Sequence, residues 1–202
     1  MSNMDIVTCD KEGINHVVKS YKSGEIIAFP TDTVYGIGCN PFNKESITKI
    51  YELKKRDGKK RFPILGFSKT ELKNIVDFSL DAEKISQKFW PGQVTILLPI
   101  KEKIIEKIDN DGKLAVRVPD NKCTLAILKQ CKLIIGTSAN ITGEESILDA
   151  SEFKTRLPKV DVLMDGGRIS SSGESTIIDF VDDELKIIRE GSISKEEIAK
   201  IL

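Results

Sequence analysis

Short, β-branched apolar runs that alternate with helix-patterned segments are the feature that most constrains the fold of this chain. Such runs are typical of buried strands, because strands are four to eight residues long and favour Ile, Val and Phe. They occur at Ile26–Phe29, Phe62–Phe67, Val94–Leu98, Leu114–Pro119 and Leu133–Ile135. Three later runs follow one another closely, at Asp161–Met164, Ser175–Phe180 and Leu185–Ile188. The sequence therefore predicts many short strands in one sheet.

The segments between these runs carry apolar residues at helical spacing, as at Ile14, Val17, Val18 and Tyr21. The predicted helices are Lys11–Ser23, Lys44–Leu53, Thr70–Val76, Asp81–Phe89, Thr124–Gln130 and Lys195–Leu202. No internal repeat or linker-like stretch divides the chain. We therefore expect residues 1–202 to form a single α/β domain with a twisted mixed sheet flanked by helices.

Composition excludes several classes of protein. With 40% hydrophobic and 31% charged residues, the chain is typical of a soluble globular protein. The 31 basic and 31 acidic residues give a net charge of zero, so no general attraction to nucleic acid or membrane is implied. The apolar runs are too short to span a bilayer, and the N-terminus lacks the pattern of a signal peptide. We expect a cytoplasmic protein with no membrane partner.

The cysteines and the histidine limit the possible chemistry. Cys9, Cys39, Cys123 and Cys131 include no C-x-x-C pair, which argues against a zinc site or a disulfide scaffold and fits a reducing cytoplasm. The single histidine, His16, lies in a predicted amphipathic helix, where a surface position is expected. Catalytic triads are excluded unless His16 alone supplies the base. No protein-ligated metal is predicted.

Polar residues follow the first strand, in the stretch F-P-T-D-T-V-Y-G-I-G from Phe29 to Gly38. Pro30 ends the strand because it has no N–H to donate. The two threonines and the aspartate are residues that bond local backbone in turns, and Gly36 and Gly38 extend this turn-like composition. Open α/β sheets bind ligands at such strand ends, so this stretch is a candidate site. An ordinary strand-to-helix connection is the alternative.

Two further strands bear polar residues of interest. Ser138 and Asn140 follow the run Leu133–Ile135 at alternate positions, so their side chains are expected to point the same way. They either contact a ligand or cap the next turn. Arg117 is the one charge in its apolar strand and needs an anionic partner, which is either a structural carboxylate or a ligand's.

A basic run, Lys54 to Arg61, closes a predicted helix. It is either a solvated loop that complements the helix dipole or a phosphate clamp. Gly173–Thr176 and Arg189–Gly191 place further polar groups at strand ends. Clusters of hydroxyls, amides and cations with no carboxylate dyad favour a site that binds an anionic, nucleotide-like ligand by hydrogen bonds and charge.

A family resemblance accompanies these residues. The matching motifs are P-T-D-T-V-Y-G, Lys54-Lys55-Arg56, F-W-P-G, A-V-R-V-P, S-A-N, D-G-G, E-S-T and R-E-G, in this order. With them the chain resembles the threonylcarbamoyl-AMP synthases (the TsaC/YrdC family), in their short single-domain form. The resemblance implies a concave, positively charged cleft and the conversion of L-threonine, bicarbonate and ATP to threonylcarbamoyl-AMP and pyrophosphate. This nucleotidyl transfer serves the threonylcarbamoyl modification of tRNA.

Site residues follow from the same resemblance. It implies that ATP is held by Lys54, Arg56, Ser138, Asn140, Ser146 and Arg189, of which Lys54 and Arg56 are the catalytic pair. It implies that threonine is held by Thr33, Arg117 and Ser175, with Arg117 on its carboxylate. Mg²⁺ is expected on the triphosphate, bound mainly through phosphate and water. The Lys55–Arg61 segment is a candidate lid.

The chain departs from the family pattern at several positions. Phe67 stands where the family has a histidine that helps hold threonine, Gln93 replaces a proline, and Asp57 follows Arg56. A YciO-like protein that binds nucleotide or double-stranded RNA without synthase activity is therefore the alternative, and a carbamoyl-adenylate module of the hydrogenase-maturation type is a further one. Binding of tRNA and docking of a downstream tRNA threonylcarbamoyl-transferase complex are possible partner functions.

Overall fold

The computed structural model describes residues 4–58, 61–101, 112–171, 173–182 and 184–202. Within these ranges ten strands form one mixed sheet in the order β1-β8-β2-β3-β7-β4-β6-β5-β9-β10. The strands are β1 Asp5–Thr8, β2 Ile27–Phe29, β3 Gly36–Cys39, β4 Ile64–Gly66, β5 Val94–Pro99, β6 Lys113–Arg117, β7 Leu133–Ser138, β8 Val162–Asp165, β9 Thr176–Val181 and β10 Glu184–Arg189. Four neighbouring pairs are parallel (β1/β8, β2/β8, β4/β6 and β5/β9), and the other five described pairs are antiparallel. The predicted α/β fold class is confirmed.

Helices cover both faces of this sheet. They are α1 Lys11–Lys22, α2 Lys44–Lys54, α3 Lys69–Leu72, α4 Leu80–Phe89, α5 Lys122–Cys131, α6 Phe153–Arg156 and α7 Lys195–Ala199, and a 3₁₀ turn, Ala150–Glu152, leads into α6. Most begin at a side chain that caps the first turn. Asp10, for example, accepts a hydrogen bond from Gly13 N at 2.9 Å, and Ser194 with Glu197 forms the predicted capping box of α7.

The core consists of two clusters of buried side chains. In one, Val17 and Val18 of α1 and Ile127 of α5 pack with the strand residues Phe29 and Ile134. The other contains residues from α2, α4 and the opposite face of the sheet, among them Tyr35, Ile50, Ile85, Ile96 and Phe153. The sheet is thus covered on both faces, as its nearly continuous apolar strands require.

Most predicted elements lie within one or two residues of the observed ones. The prediction of a helix over Thr70–Val76 was too long, since α3 ends at Leu72 and Val76 instead forms a bridge with Ile100. Strand β7 is longer than predicted and includes Ser138. His16 lies at the protein surface, as predicted, with Nε2 3.2 Å from Asp5 Oδ2. No described helix has the length and apolar composition needed to cross a membrane.

The prediction that Gly36 and Gly38 belong to a turn was wrong. Both lie in β3, which pairs antiparallel with β2 and with β7. A Cβ on Gly38 would lie 1.9 Å from Ile135 O, and one on Gly36 would lie 2.7 Å from the Phe29 ring. These glycines therefore permit close approach of packed strands. The polar stretch between β2 and β3 is a strand-to-strand connection, and the strand-to-helix alternative was also wrong.

The cysteine pattern argued against a disulfide scaffold, but the structure contains one disulfide. Cys9 and Cys123 form a disulfide with a Cα–Cα distance of 5.6 Å, whereas Cys39 and Cys131 are free. The pairing was invisible in the spacing because 114 residues separate the two cysteines. The fold brings them together by packing α1, which follows β1, against α5. Cysteine usage therefore lends no support to the predicted cytoplasmic location, which stays a prediction.

Candidate active site

A cleft with a volume of about 350 Å³ opens beside the β2–β3 connection. Its walls include residues from that connection, from the ends of β7 and β6, and from the segments before β4 and β9. Among the described lining residues, the basic ones are Arg56, Arg61, Lys113, Arg117 and Arg189. Glu174 is the acidic side chain among them. Apolar residues such as Leu65, Leu97 and Ile177 complete the wall.

Lys54, the last residue of α2, lies behind this cleft and not on its wall. Its side chain is fully buried, with 1% relative exposure. The ammonium donates to Ser138 O at 2.5 Å and to both the backbone oxygen and the side-chain Oδ1 of Asn140 at 2.8 Å. All three N–H groups of an ammonium are thereby used. Lys54 therefore holds the Ser138–Asn140 turn from behind.

The environment of Lys54 weakens its hold on its proton. Burial, assisted by the positive charge of Arg56 and opposed by Glu174, lowers the pKa of Lys54 to about 8. A neutral amine has two N–H groups for three acceptors. Loss of this proton would therefore leave one of the three acceptors in the turn without its hydrogen bond.

Ser138 and Asn140 meet as the alternate spacing implied. Ser138 Oγ donates to Asn140 Oδ1 at 2.7 Å, and Asn140 Nδ2 donates to Glu144 O at 2.6 Å. Both the oxygen and the nitrogen of the Asn140 side-chain amide are thus hydrogen-bonded within the protein. Ser138 lines the cleft, whereas Asn140 is buried beneath it.

Arg117 has a structural carboxylate as its partner. One NH2 group donates to Asp32 Oδ1 at 2.6 Å, Nε donates to Gly92 O at 2.7 Å, and NH1 donates to Thr33 Oγ1 at 3.1 Å. Asp32 Oδ1 also accepts from Asp120 N at 3.0 Å, whereas the buried Asp32 Oδ2 has no hydrogen-bond partner among the described residues. Arg117 therefore fixes Asp32 and Thr33 at the cleft wall.

The β2–β3 connection is secured at further points. Thr31 Oγ1 lies 2.9 Å from Thr33 Oγ1 and donates to Val34 O at 2.6 Å. Gln93, which replaces the proline of the resembled family, donates from Nε2 to Asp32 O at 2.9 Å. The Tyr35 hydroxyl donates to Gly167 O at 2.7 Å, which ties the D-G-G motif to the same segment. These hydrogen bonds hold the connection in place from several sides.

The E-S-T and R-E-G motifs meet at the opposite wall. Arg189, at the end of β10, donates to Ser175 O at 2.7 Å and to Ser175 Oγ at 3.2 Å. Ser175 Oγ also lies 2.9 Å from Thr95 Oγ1. A Cβ on Gly191 would lie 2.2 Å from Glu174 O, so this glycine lets the two segments pack backbone against backbone.

Glu174 is placed among the residues expected to hold ATP. Its carboxylate accepts from Ser146 Oγ at 2.6 Å and from Arg189 NH1. Burial by itself would raise the pKa of Glu174, but the Ser146 hydroxyl, Arg189 and the Ser138 hydroxyl together hold it below its ordinary value. The side chain is therefore an anion at neutral pH.

Arg56 lies at the mouth of the cleft with Phe62. Its guanidinium carbon is 5.0 Å from the centre of the Phe62 ring, which in turn packs against Tyr51 at 4.3 Å between ring centres. Arg56 also donates from NH2 to Arg61 O at 3.2 Å. Lys59 and Lys60 of the predicted lid lie outside the described residues, so the lid stays a prediction.

The expected residues thus lie close together in the structure, but only some of them line the cleft. Thr33, Arg56, Arg117, Ser138, Ser175 and Arg189 all line the cleft. Lys54 and Asn140 are buried behind it. Ser146 is partly exposed and, although it is not among the described lining residues, donates to the lining residue Glu174. Phe67 is not among the described lining residues and packs against the α1/α5 cluster.

Sequence reasoning assigned no role to Glu174, Asp32 or Gln93. The signal for Glu174 and Asp32 was present, because each lies inside a matching motif beside an expected ligand residue. The roles of these residues depend on how close the motifs lie to one another, and the fold determines these distances.

Comparison with known proteins identifies the family. Residues 19–191 match the model of the Sua5/YciO/YrdC family, which bears the description "Telomere recombination". A protein of Methanocaldococcus jannaschii named "Putative threonylcarbamoyl-AMP synthase" is 34% identical over 193 residues, which cover 94% of this chain and 91% of that protein.

Solved structures agree with this match. The structure of P. abyssi Sua5 complexed with L-threonine has a TM-score of 0.89 and 28% identity, and the match covers 98% of this chain and 60% of that one. E. coli YciO has a TM-score of 0.87 and 25% identity, over 98% of this chain and 100% of that one. Together with the model that matches most of its length, these likenesses show that the chain belongs to the Sua5/YciO/YrdC family.

Proposed function

We propose that this protein is an L-threonylcarbamoyladenylate synthase, a nucleotidyltransferase that converts L-threonine, bicarbonate and ATP to threonylcarbamoyl-AMP and pyrophosphate. One observation carries the proposal. Two sets of residues, Thr33, Arg117 and Ser175 for an amino acid and Arg56, Ser138 and Arg189 for a nucleotide, line the same cleft and meet where Arg189 donates to Ser175. A synthase must bring its two substrates together in this way.

The relatives support this assignment. Several carry the name threonylcarbamoyl-AMP synthase, although this chain covers only 54% of two of them. L-threonine is the ligand named for P. abyssi Sua5, whose fold this chain shares over 98% of its length. Both findings favour the synthase over a YciO-like role without synthase activity.

The threonine subsite is proposed at the β2–β3 connection. Arg117 uses three of the five N–H donors of a guanidinium on Gly92, Thr33 and Asp32. The remaining donors are available for the substrate carboxylate, and Asp32 holds the guanidinium at the required angle. Thr33 and Ser175 supply hydroxyls for the other polar groups of the amino acid.

The nucleotide subsite is proposed at the opposite wall. Arg56 and Arg189 bring positive charge to the phosphates, and Ser138 supplies a hydroxyl. We propose that Lys54 acts through the turn that it holds and not by direct contact with phosphate, because its three N–H groups are already bonded. This differs from the direct clamp that the resemblance implies.

Proximity explains how the cleft promotes the reaction. The threonine amine first condenses with bicarbonate to form a carbamate, and water is released. A carbamate oxygen then attacks the α-phosphorus of ATP, and the bond from this phosphorus to the bridging oxygen of the β-phosphate breaks and releases pyrophosphate. A preorganised cleft places the two reacting groups side by side and stabilises the charge on the transferring phosphoryl group. The described site residues thus act by binding and orientation.

Mg²⁺ is proposed to accompany ATP. Within the described ranges, no group of three or more His, Cys, Asp or Glu side chains is placed to hold a metal ion. The proposed ion is therefore held mainly through phosphate oxygens and water, a mode that suits Mg²⁺. Its chemical contribution is to neutralise phosphate charge.

The test is pyrophosphate release from Mg·ATP with and without L-threonine and bicarbonate. We expect release that requires both co-substrates, and a drop of about ten- to a hundredfold in Arg56→Ala, because a lost charge-assisted hydrogen bond costs about 1.5–3 kcal/mol. Lys154→Ala, a surface change in α6, serves as the matched control. Release that ignores threonine would contradict the proposal, and wild-type turnover in Arg56→Ala would remove Arg56 from the site.

RNA binding, docking of a downstream transferase and a cytoplasmic location stay predictions. An RNA complex held by backbone phosphates would weaken steeply as salt is raised and would not respond to threonine. A salt titration of binding to tRNA, with and without ATP and threonine, therefore separates the two kinds of ligand.

A further inference from the structure

The carboxylate of Glu174 contacts two of the residues that are proposed to hold the nucleotide. It accepts hydrogen bonds from Ser146 Oγ at 2.6 Å and from Arg189 NH1. Both donors are residues expected to hold ATP. Ser138, another of them, contributes to the low pKa of Glu174. These donors are thus turned towards one internal anion.

The backbone around Glu174 is fixed while its side chain has room to move. Glu174 O accepts from Ser192 N at 2.9 Å, and Gly191 packs directly against it. The carboxylate side chain, in contrast, is 30% exposed at the cleft, and that of Arg189 is 40% exposed. A change of side-chain rotamer is therefore enough to release the donors without unfolding the segment.

Charge explains why such an arrangement is stable. Burial is the main cause of the lowered pKa of Lys54, and the positive charge of Arg56 adds to it. Burial likewise lowers the pKa of Arg56 and the charge of Arg189 lowers it further, so the positive charges at this end of the cleft repel one another. A carboxylate among them compensates part of this repulsion. A triphosphate would bring a larger negative charge to the same donors and would meet the carboxylate as a like charge.

We propose that the Glu174 carboxylate accepts the hydrogen bonds that a phosphate of the ligand would otherwise accept. A polyphosphate must therefore displace this carboxylate from Ser146 and Arg189 in order to bind. The inference rests on the proposed function, because it concerns the same nucleotide subsite. It implies selection by charge: ligands with one negative charge exchange poorly with the carboxylate, whereas pyrophosphate and triphosphate groups replace it. Glu174 thereby sets the affinity and the phosphate specificity of the subsite.

The test measures binding of inorganic pyrophosphate by isothermal titration calorimetry in metal-free buffer. Glu174→Gln keeps the shape of the side chain and removes the charge, so we expect it to bind pyrophosphate about tenfold more tightly or better than the unaltered protein. Glu184→Gln, the same change on the exposed start of β10, is the matched control and should bind as the unaltered protein does. Equal or weaker binding of pyrophosphate by Glu174→Gln would overturn the proposal. It would show that the carboxylate has no effect on the affinity or that it helps to hold the anion.

A second measurement does not depend on the variant folding. A crystal structure of the unaltered protein with pyrophosphate should show the carboxylate moved away from Ser146 and Arg189. Pyrophosphate bound in the cleft with both contacts of Glu174 intact would overturn the proposal.

The two proposals can fail separately. Tighter pyrophosphate binding by Glu174→Gln in a protein that makes no threonylcarbamoyl-AMP would support the exchange and contradict the function. Synthesis of threonylcarbamoyl-AMP by the unaltered protein, with no gain in pyrophosphate affinity in Glu174→Gln, would support the function and contradict the exchange.

Discussion

Substitution of Lys54 by methionine tests the interpretation that this residue acts through the Ser138–Asn140 turn. Lys54→Met keeps most of the length and the apolar stem but removes three hydrogen bonds, of 2.5, 2.8 and 2.8 Å. A hydrogen bond to a charged group contributes about 1.5–3 kcal/mol, but the lost cost of burying the ammonium offsets part of the sum. We therefore expect a net loss of about 1–3 kcal/mol in the placement of the turn, or about five- to more than a hundredfold in ATP affinity.

The assay is ATP binding by calorimetry together with the pH profile of pyrophosphate release. In the unaltered protein, release should fall as the pH rises through about 8, where the buried ammonium loses its proton. Lys54→Met has no such group, so its residual activity should lack this decline. Lys49→Met, an exposed position of the same helix, is the control and should retain both the affinity and the pH profile. Unchanged ATP affinity in Lys54→Met, or an activity of the unaltered protein that is flat from pH 7 to about 10, would refute the reasoning.

Three further predictions concern stability, and urea titration measures each of them. Arg117→Met leaves a buried carboxylate without its cation and should cost about 3–5 kcal/mol; a loss below about 1 kcal/mol would show that the pair is not effectively buried. Cys123→Ser, or reduction of the unaltered protein, removes the link to Cys9 and should cost about 2–4 kcal/mol; the same midpoint with and without reductant would contradict the disulfide. Gly38→Ala places a Cβ 1.9 Å from Ile135 O and should destabilise the sheet by about 1–3 kcal/mol, an expectation that wild-type stability would disprove.

Much of the fold was predictable because the strands are buried on both faces. Near-continuous apolar runs such as Val94–Leu98 and Leu133–Ile135 are hard to read as anything but strands in an α/β protein. Strand β3 was missed for a physical reason. Its sequence, G-I-G-C, has the composition of a turn, and only the close packing of β7 explains why glycine is needed there. Local composition does not contain that information.

The sequence predicted which residues lie together at the site, but it did not predict what each of them contacts. Arg117 was recognised from the cost of a charge in an apolar strand, and both of its possible partners were foreseen. Which of the two partners it has depends on the fold, because Asp32 becomes its partner only when the β2–β3 connection lies next to β6. The family resemblance implied that Lys54 holds ATP, whereas its burial behind β7 depends on the tertiary structure. The Cys9–Cys123 pair was likewise beyond the reach of spacing rules.

The central claim is that this cleft joins threonine, bicarbonate and the adenylyl group of ATP. The most direct measurement is mass spectrometry of the reaction products with Mg·ATP, L-threonine and ¹³C-bicarbonate. The account predicts an adenylate whose mass corresponds to threonylcarbamoyl-AMP and whose carbamoyl carbon carries the label, with pyrophosphate released in equal amount. Pyrophosphate release without a labelled adenylate, or an adenylate that forms equally well when threonine is left out, would contradict it.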